Sequence, residues 1–178
     1  LFVQNVQGAN ATVSGQALTP FSVLMAFMGA PAGLLLAKTK RYKWMYVVGY
    51  ALLTAMMFVM WTFSKGTPLA LSVLVTALAG LGLGTIPTIN TLVAQFAVPR
   101  RLLGVAVGAI YFFVMMGMAI APAILGGVQN AVQASTGSLE AALKAVFLVG
   151  AVTMAVSFLM IVTIPEINID VEAQDKKK

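Results

Sequence analysis

The acidic side chains of this chain are Glu140, Glu166, Asp170, Glu172 and Asp175, and all five lie outside its long apolar stretches. A carboxylate held inside a bilayer is the usual carrier of protons or ions, so these stretches have no titrating acid of their own. The chain has no His and no Cys. That removes disulfides, the common zinc ligands and any Ser–His or Cys–His nucleophile pair. With no nucleophile–base set and no metal constellation, neither an enzyme nor a bound metal or cofactor is expected.

The remaining chemistry is uncharged or basic. Thr88, Asn90, Thr91 and Gln95 concentrate hydrogen-bonding groups in one apolar stretch, where they could line a water-filled path or bond to neighbouring helices and to carbonyls freed near Pro87. Tyr111, Phe112, Phe113, Met115 and Met116 form a soft, polarizable run able to re-pack around varied apolar ligands. Thr88, Asn90, Gln95, Tyr111, Phe112 and Met115 are therefore the candidate substrate-pathway residues. The cations Lys38, Lys40, Arg41, Lys43, Arg100 and Arg101 sit in short turns without interleaved aromatics. Lipid headgroups are their expected partners, and nucleic acid is not.

The elements that must carry these groups follow from composition. The chain has 178 residues, is 60% hydrophobic and only 9% charged, with mean hydropathy +0.96. A soluble domain carries roughly 25% charged residues, so the solvent implied here is lipid. Five apolar stretches reach bilayer length, at about 18–37, 44–63, 68–95, 102–125 and 143–164. Residues 1–17 read as a polar loop containing an Asn10-Ala11-Thr12 sequon, Gln129–Glu140 as a second loop, and 165–178 as a charged, disordered tail. The third stretch is long for the hydrocarbon core, and Gly80, Gly82, Gly84 and Pro87 are where a kink is expected. Pro122 offers another in the fourth. Small residues four apart, Gly29 with Gly33, Gly80 with Gly84 and Gly104 with Gly108, predict close helix crossings in a compact bundle.

Charge sets the expected topology. Four Lys and Arg in the first connection, two in the third and three in the tail make nine of the eleven, leaving Lys65 and Lys144 for the opposite side. The excess marks the cytoplasmic face. Residue 1 is then outside, the C-terminus is cytoplasmic, and a multi-pass protein of the cell membrane results. Five spans beginning outside predict a further span upstream.

Gly33 followed by Lys38-Thr39-Lys40-Arg41-Tyr42-Lys43 resembles the basic loop between paired helices of the major facilitator superfamily. GLGLGTIPTINTLVAQFAVPRR (Gly80 to Arg101) and GVAVGAIYFFVMMGMAIAPAILGGV (Gly104 to Val128) are similar to the fourteen-helix drug:proton antiporter branch, and VFLVGAVTMAVSFLMIVTIPE (Val146 to Glu166) resembles its closing helix. Ala37 and Lys40 replace the Asp and Gly common in that loop, and Val114 stands where an Arg is often found. The resemblance implies an all-α membrane fold, with these five helices part of the C-terminal six-helix half of a major facilitator-type transporter. It also implies an N-terminal half as partner, a small-molecule substrate and protons as coupling ion. Proton-driven efflux of lipophilic drugs or cations by alternating access is the expected function. A carrier of polar metabolites would need more hydrogen-bonding groups in the membrane; a non-transport scaffold is the remaining alternative.

Overall fold

A computed structural model describes residues 2–6, 8, 10–39 and 41–163. Lys40, Leu1 and the tail from residue 164 lie outside these described residues. The helices are α1 (Ala11–Phe27), α2 (Gly29–Thr39), α3 (Lys43–Trp61), α4 (Leu69–Ala97), α5 (Leu103–Thr136) and α6 (Leu139–Thr163), with a π-helical turn at Phe2–Val6 and a 3-10 turn at Arg100–Leu102. The described residues contain five helical spans long and apolar enough to cross a membrane, α1 and α2 together making the first.

The helix ends follow from local chemistry, and two of them correct the sequence expectation. Helix α1 begins at Ala11, inside the stretch 1–17 expected to be a loop. Asn10 is its N-cap, accepting from the Val13 N–H at 2.8 Å, which satisfies an otherwise orphaned donor. The stretch Gln129–Glu140, expected as a loop, is helical to Thr136. Its Ala and Gln residues favour helix, and nothing breaks the ladder until Gly137. That residue takes φ +66°, the left-handed stop a glycine adopts without strain, and its N–H bonds the Gln133 carbonyl at 2.9 Å. Helix α6 starts directly afterwards, with Ser138 Oγ accepting from Ala141 N–H at 3.3 Å. Glu140 in its first turn complements the helix dipole and pairs with Lys144 at 2.9 Å.

Helix α4 is one continuous helix with Pro87 inside it, and a separate break falls at Met28, between α1 and α2. Pro31 has no N–H, so the Phe27 carbonyl four residues back loses its helical donor, and α1 stops at Phe27.

Helix α4 is the hub. It packs on α1, α2 and α3 and more lightly on α5, while α3 packs on α6 and, chiefly, α5 on α6. The spans thus form a row, first–third–second–fifth–fourth. Two apolar clusters tie the row together. One joins Leu53, Met60 and Phe63 of α3 and its exit to Val75, Ala79 and Ile86 of α4 and Leu143 of α6. The other joins Ala32 and Leu36 of α2 to Tyr42, Met45 and the fully buried Ile89. Helix α5 is the exception, with no buried residue along its 34 positions. At 1.5 Å per residue it is about 51 Å long, well beyond a hydrocarbon core of roughly 30 Å.

Candidate functional site

Helix crossings set the geometry first. A Cβ placed on Gly80 would lie 2.6 Å from the Phe21 carbonyl oxygen, and one on Gly84 would lie 2.4 Å from that of Met25. Both glycines therefore let α1 and α4 approach backbone to backbone. Gly82, between them, faces the other way: its Cβ would sit 3.0 Å from the Gly49 carbonyl oxygen on α3. Alternate glycines of one helix thus serve two neighbours. Gly29 and Gly33 leave a notch that Thr88 fills, its Oγ1 3.2 Å and its Cγ2 3.7 Å from the two missing Cβ positions. Gly104 and Gly108 have nothing within 4 Å and join no crossing among the described residues.

Thr88 and Asn90 share the inner half of α4, each with a partner. Thr88 packs against α2. Asn90 Oδ1 accepts a hydrogen bond from the Tyr46 hydroxyl of α3, and Tyr46 stacks edge-on with Tyr42 at 6.1 Å. Polar groups here knit helices together. Nearby hydroxyls are also engaged: Thr91 Oγ1 donates to the Pro87 carbonyl at 3.0 Å and Thr85 Oγ1 to that of Gly82 at 2.8 Å.

The other pathway candidates are not brought to that seam. Gln95 is exposed near the end of α4. Tyr111, Phe112 and Met115 stand on the surface of α5, at 46%, 60% and 60% exposure, with Phe112 and Phe113 in edge contact at 5.7 Å. Pro122, also on α5, is exposed. The candidate set divides into a structural polar seam and an uncovered aromatic–thioether surface.

The cations gather at one end of the row. Lys38 closes α2, Arg41 lies in the following connection, Lys43 opens α3, and Arg100 and Arg101 form the turn after α4. The cluster of Leu36, Tyr42, Met45, Ile89, Leu92 and Val93 places the ends of α2 and α4 beside the start of α3.

One cavity was missed from the sequence. Helices α2 and α3 both rest on α4 without closing on each other along their length. Between them lies an apolar groove of about 290 Å³, walled by Met28, Pro31 and Leu35 on one side and Trp44 and Val48 on the other, with Thr85 on its floor. The spacings 28–31–35 and 44–48 repeat at helical periods, the available signal, but every apolar helix offers many such stripes.

Multiple apolar spans around a glycine-lined hub define a multi-pass membrane protein. No family model matches the chain. It is similar to the MFS efflux transporter aclA of Aspergillus oryzae (36% identity over 100 residues, 56% of this chain and 18% of that protein). It also resembles the MFS-type efflux transporter pyiT of Pyricularia grisea (33% over 118 residues, 66% and 19%). The tetracycline resistance determinant of Streptomyces rimosus matches at 33% over 109 residues, 61% of this chain and 31% of that protein. Over the stretches these matches cover, the chain is similar to proteins named as major facilitator superfamily efflux transporters. Those stretches span 18–31% of the length of these relatives.

Proposed function

We propose that this chain is the C-terminal part of a secondary active transporter that expels lipophilic drugs or cations in exchange for protons by alternating access. The observation that carries the reading is helix α5: apolar from Leu103 to Val128, with no buried residue, and presenting Tyr111, Phe112 and Met115 as an exposed aromatic and thioether surface. Such side chains grip apolar cations through ring faces and adaptable packing. The efflux names of the relatives support the same direction of transport. A polar metabolite would need free hydrogen-bonding groups, whereas the Asn90 amide oxygen already accepts from Tyr46.

In this reading α5 faces the substrate at the midplane, opposite an N-terminal half. The one carboxylate among the described residues, Glu140, sits in the first turn of α6 paired with Lys144, so in this reading the proton carrier is supplied from outside this stretch. The basic ends at Lys38, Lys40, Arg41, Lys43, Arg100 and Arg101 face the cytoplasm of the cell membrane.

The test uses the gene product that contains this chain, expressed in cells stripped of their own exporters, with ethidium retention as readout. Efflux should collapse on adding a protonophore. Phe112→Ala with Met115→Ala should lower it about tenfold, equivalent to roughly 1.4 kcal/mol of lost substrate contact, at unchanged protein level. Efflux indifferent to the proton gradient, or unaltered by the double variant, would overturn the reading.

A further inference from the structure

Beyond the apolar lining of the groove between α2 and α3, the chain that joins the two helices carries cations. On α2 the wall residues Met28, Pro31 and Leu35 follow a 3-then-4 spacing, and the next step along that stripe, three residues on, is Lys38. It lies seven residues after Pro31, about 20° away around a helix of 3.6 residues per turn. On the opposite side Arg41 lies in the non-helical connection three residues before Trp44, just ahead of α3. Both cations are exposed, and neither has an ion pair among the described residues. Trp44, 40% exposed on the first turn of α3, stands between this basic connection and the apolar interior, the position an indole takes at a membrane interface.

A ligand matching this layout has an apolar tail of hydrocarbon width and an anionic head one helical turn further out. We infer that the groove is a binding site for an anionic phospholipid, one acyl chain lying between Leu35 and Val48 over Thr85 and the phosphate meeting Lys38 and Arg41. Three features argue for this occupant. The interior is apolar, and its one hydroxyl, that of Thr85, already donates to the Gly82 carbonyl, so apart from the Trp44 indole N–H at the outer end a hydrocarbon chain strips water from no side-chain donor. Long basic side chains at a helix end reach the headgroup level while their stems cover apolar surface. Two unpaired positive charges in the joining chain disfavour the lipophilic cations proposed above as substrates, which separates this site from the α5 surface. The inference needs only that the chain spans a bilayer and does not rest on the transport reading.

A retained lipid would also account for how the Met28 break is tolerated. At Pro31 the Phe27 carbonyl is released, and Phe27 itself is 73% exposed. An acyl chain along Met28 and Pro31 packs the side of the span where the helix is interrupted.

The experiment is photolabelling of the full gene product in nanodiscs with phosphatidylglycerol carrying a diazirine on its acyl chain, followed by peptide mapping. A phosphatidylcholine probe with the same chain runs in parallel. Phosphatidylglycerol should label 28–35 and 44–52 well above phosphatidylcholine. Lys38→Gln with Arg41→Gln should lower that preference about fivefold for each charge removed without altering the phosphatidylcholine signal. Val48→Trp, which fills the groove, should suppress labelling there by both probes while labelling of α5 stays unchanged. Equal labelling by the two lipids, or a preference that survives loss of both charges, overturns the proposal. So does an oxidative crosslink from Val48→Cys to a cysteine in another part of the protein, because a helix would then occupy the groove.

Discussion

Tyr46 on α3 donates its hydroxyl hydrogen to Asn90 Oδ1 on α4, joining two helices through a part-buried contact. An unanswered amide oxygen in hydrocarbon is costly in principle, yet measured interhelical hydrogen bonds in membranes average near 0.6 kcal/mol and reach about 1.7. Tyr46 is also packed against Tyr42 and Tyr50, contacts that a phenylalanine keeps. Tyr46→Phe should therefore cost about 1 kcal/mol, read as a lowered unfolding midpoint in detergent. Asn90→Leu in the Tyr46→Phe background should recover part of that loss, because the orphaned acceptor is gone. A double variant worse than the sum of the singles would exclude the bond as the coupling.

Close approach makes a sharper contrast. At Gly84 a methyl group would meet the Met25 carbonyl oxygen at 2.4 Å and the Met25 Cα at 2.9 Å, both backbone atoms with nowhere to go. Gly84→Ala must push α1 off α4, and overpacking of this kind costs 1–3 kcal/mol; the upper end of that range, about 3, is expected. Gly104→Ala and Gly108→Ala meet nothing and gain the alanine helix preference, so this chain's own stability should be unchanged or slightly raised. Thermal denaturation of the three variants decides it. A loss at Gly108 comparable to that at Gly84 would mean that something outside the described residues closes on that face of α5.

These contrasts show what could be read in the letters. Span number and type were legible because apolar runs near bilayer length have few other physical uses. Helix ends were less so. Asn10 and Gly137 decide where α1 starts and α5 stops through a single hydrogen bond and a single backbone angle, and hydropathy is blind to both. The role of each small residue was legible only in part: the spacing of Gly80 and Gly84 matches that of Gly104 and Gly108, yet one pair meets a neighbour and the other meets none. Neighbourhood is non-local, and nothing in the local sequence says that the third span sits between the first and the second. The groove was invisible for the same reason. Met28, Pro31, Trp44 and Val48 are unremarkable members of apolar runs until α2 and α3 both come to rest on α4.

Pro31 is the residue whose removal should change motion more than stability. Alanine there restores an N–H within reach of the Phe27 carbonyl and completes the ladder across Met28. Met28 N–H already bonds Leu24 and Ala32 N–H bonds Met28, each at 3.0 Å, so the defect is narrow. Amide exchange over Met28–Gly33 should slow in Pro31→Ala. Spin labels at Leu18 and Leu34, both exposed, should show a narrower distance distribution. If the span bends during transport, turnover falls with binding unchanged. Unchanged exchange would show that the proline does not set the break.

The placement of the basic ends is open to direct measurement because the chain has no cysteine of its own. Single substitutions Arg41→Cys, Arg100→Cys and Lys65→Cys put one reactive thiol in each of three connections. Arg41 and Arg100 follow α2 and α4 at the end where Leu36, Ile89 and Val93 cluster, and Lys65 lies in the connection beyond Trp61, at the other end of α3. A membrane-impermeant maleimide added to intact cells should label Lys65→Cys and spare the other two until the membrane is opened. Each phase is expected to be near complete, because all three positions are exposed. Labelling of Arg41→Cys from outside with Lys65→Cys protected would invert the chain and put the excess of Lys and Arg on the wrong face. Labelling that separated Arg41 from Arg100 would break the row of helices itself, since the packing of α2, α3 and α4 puts both turns at one end.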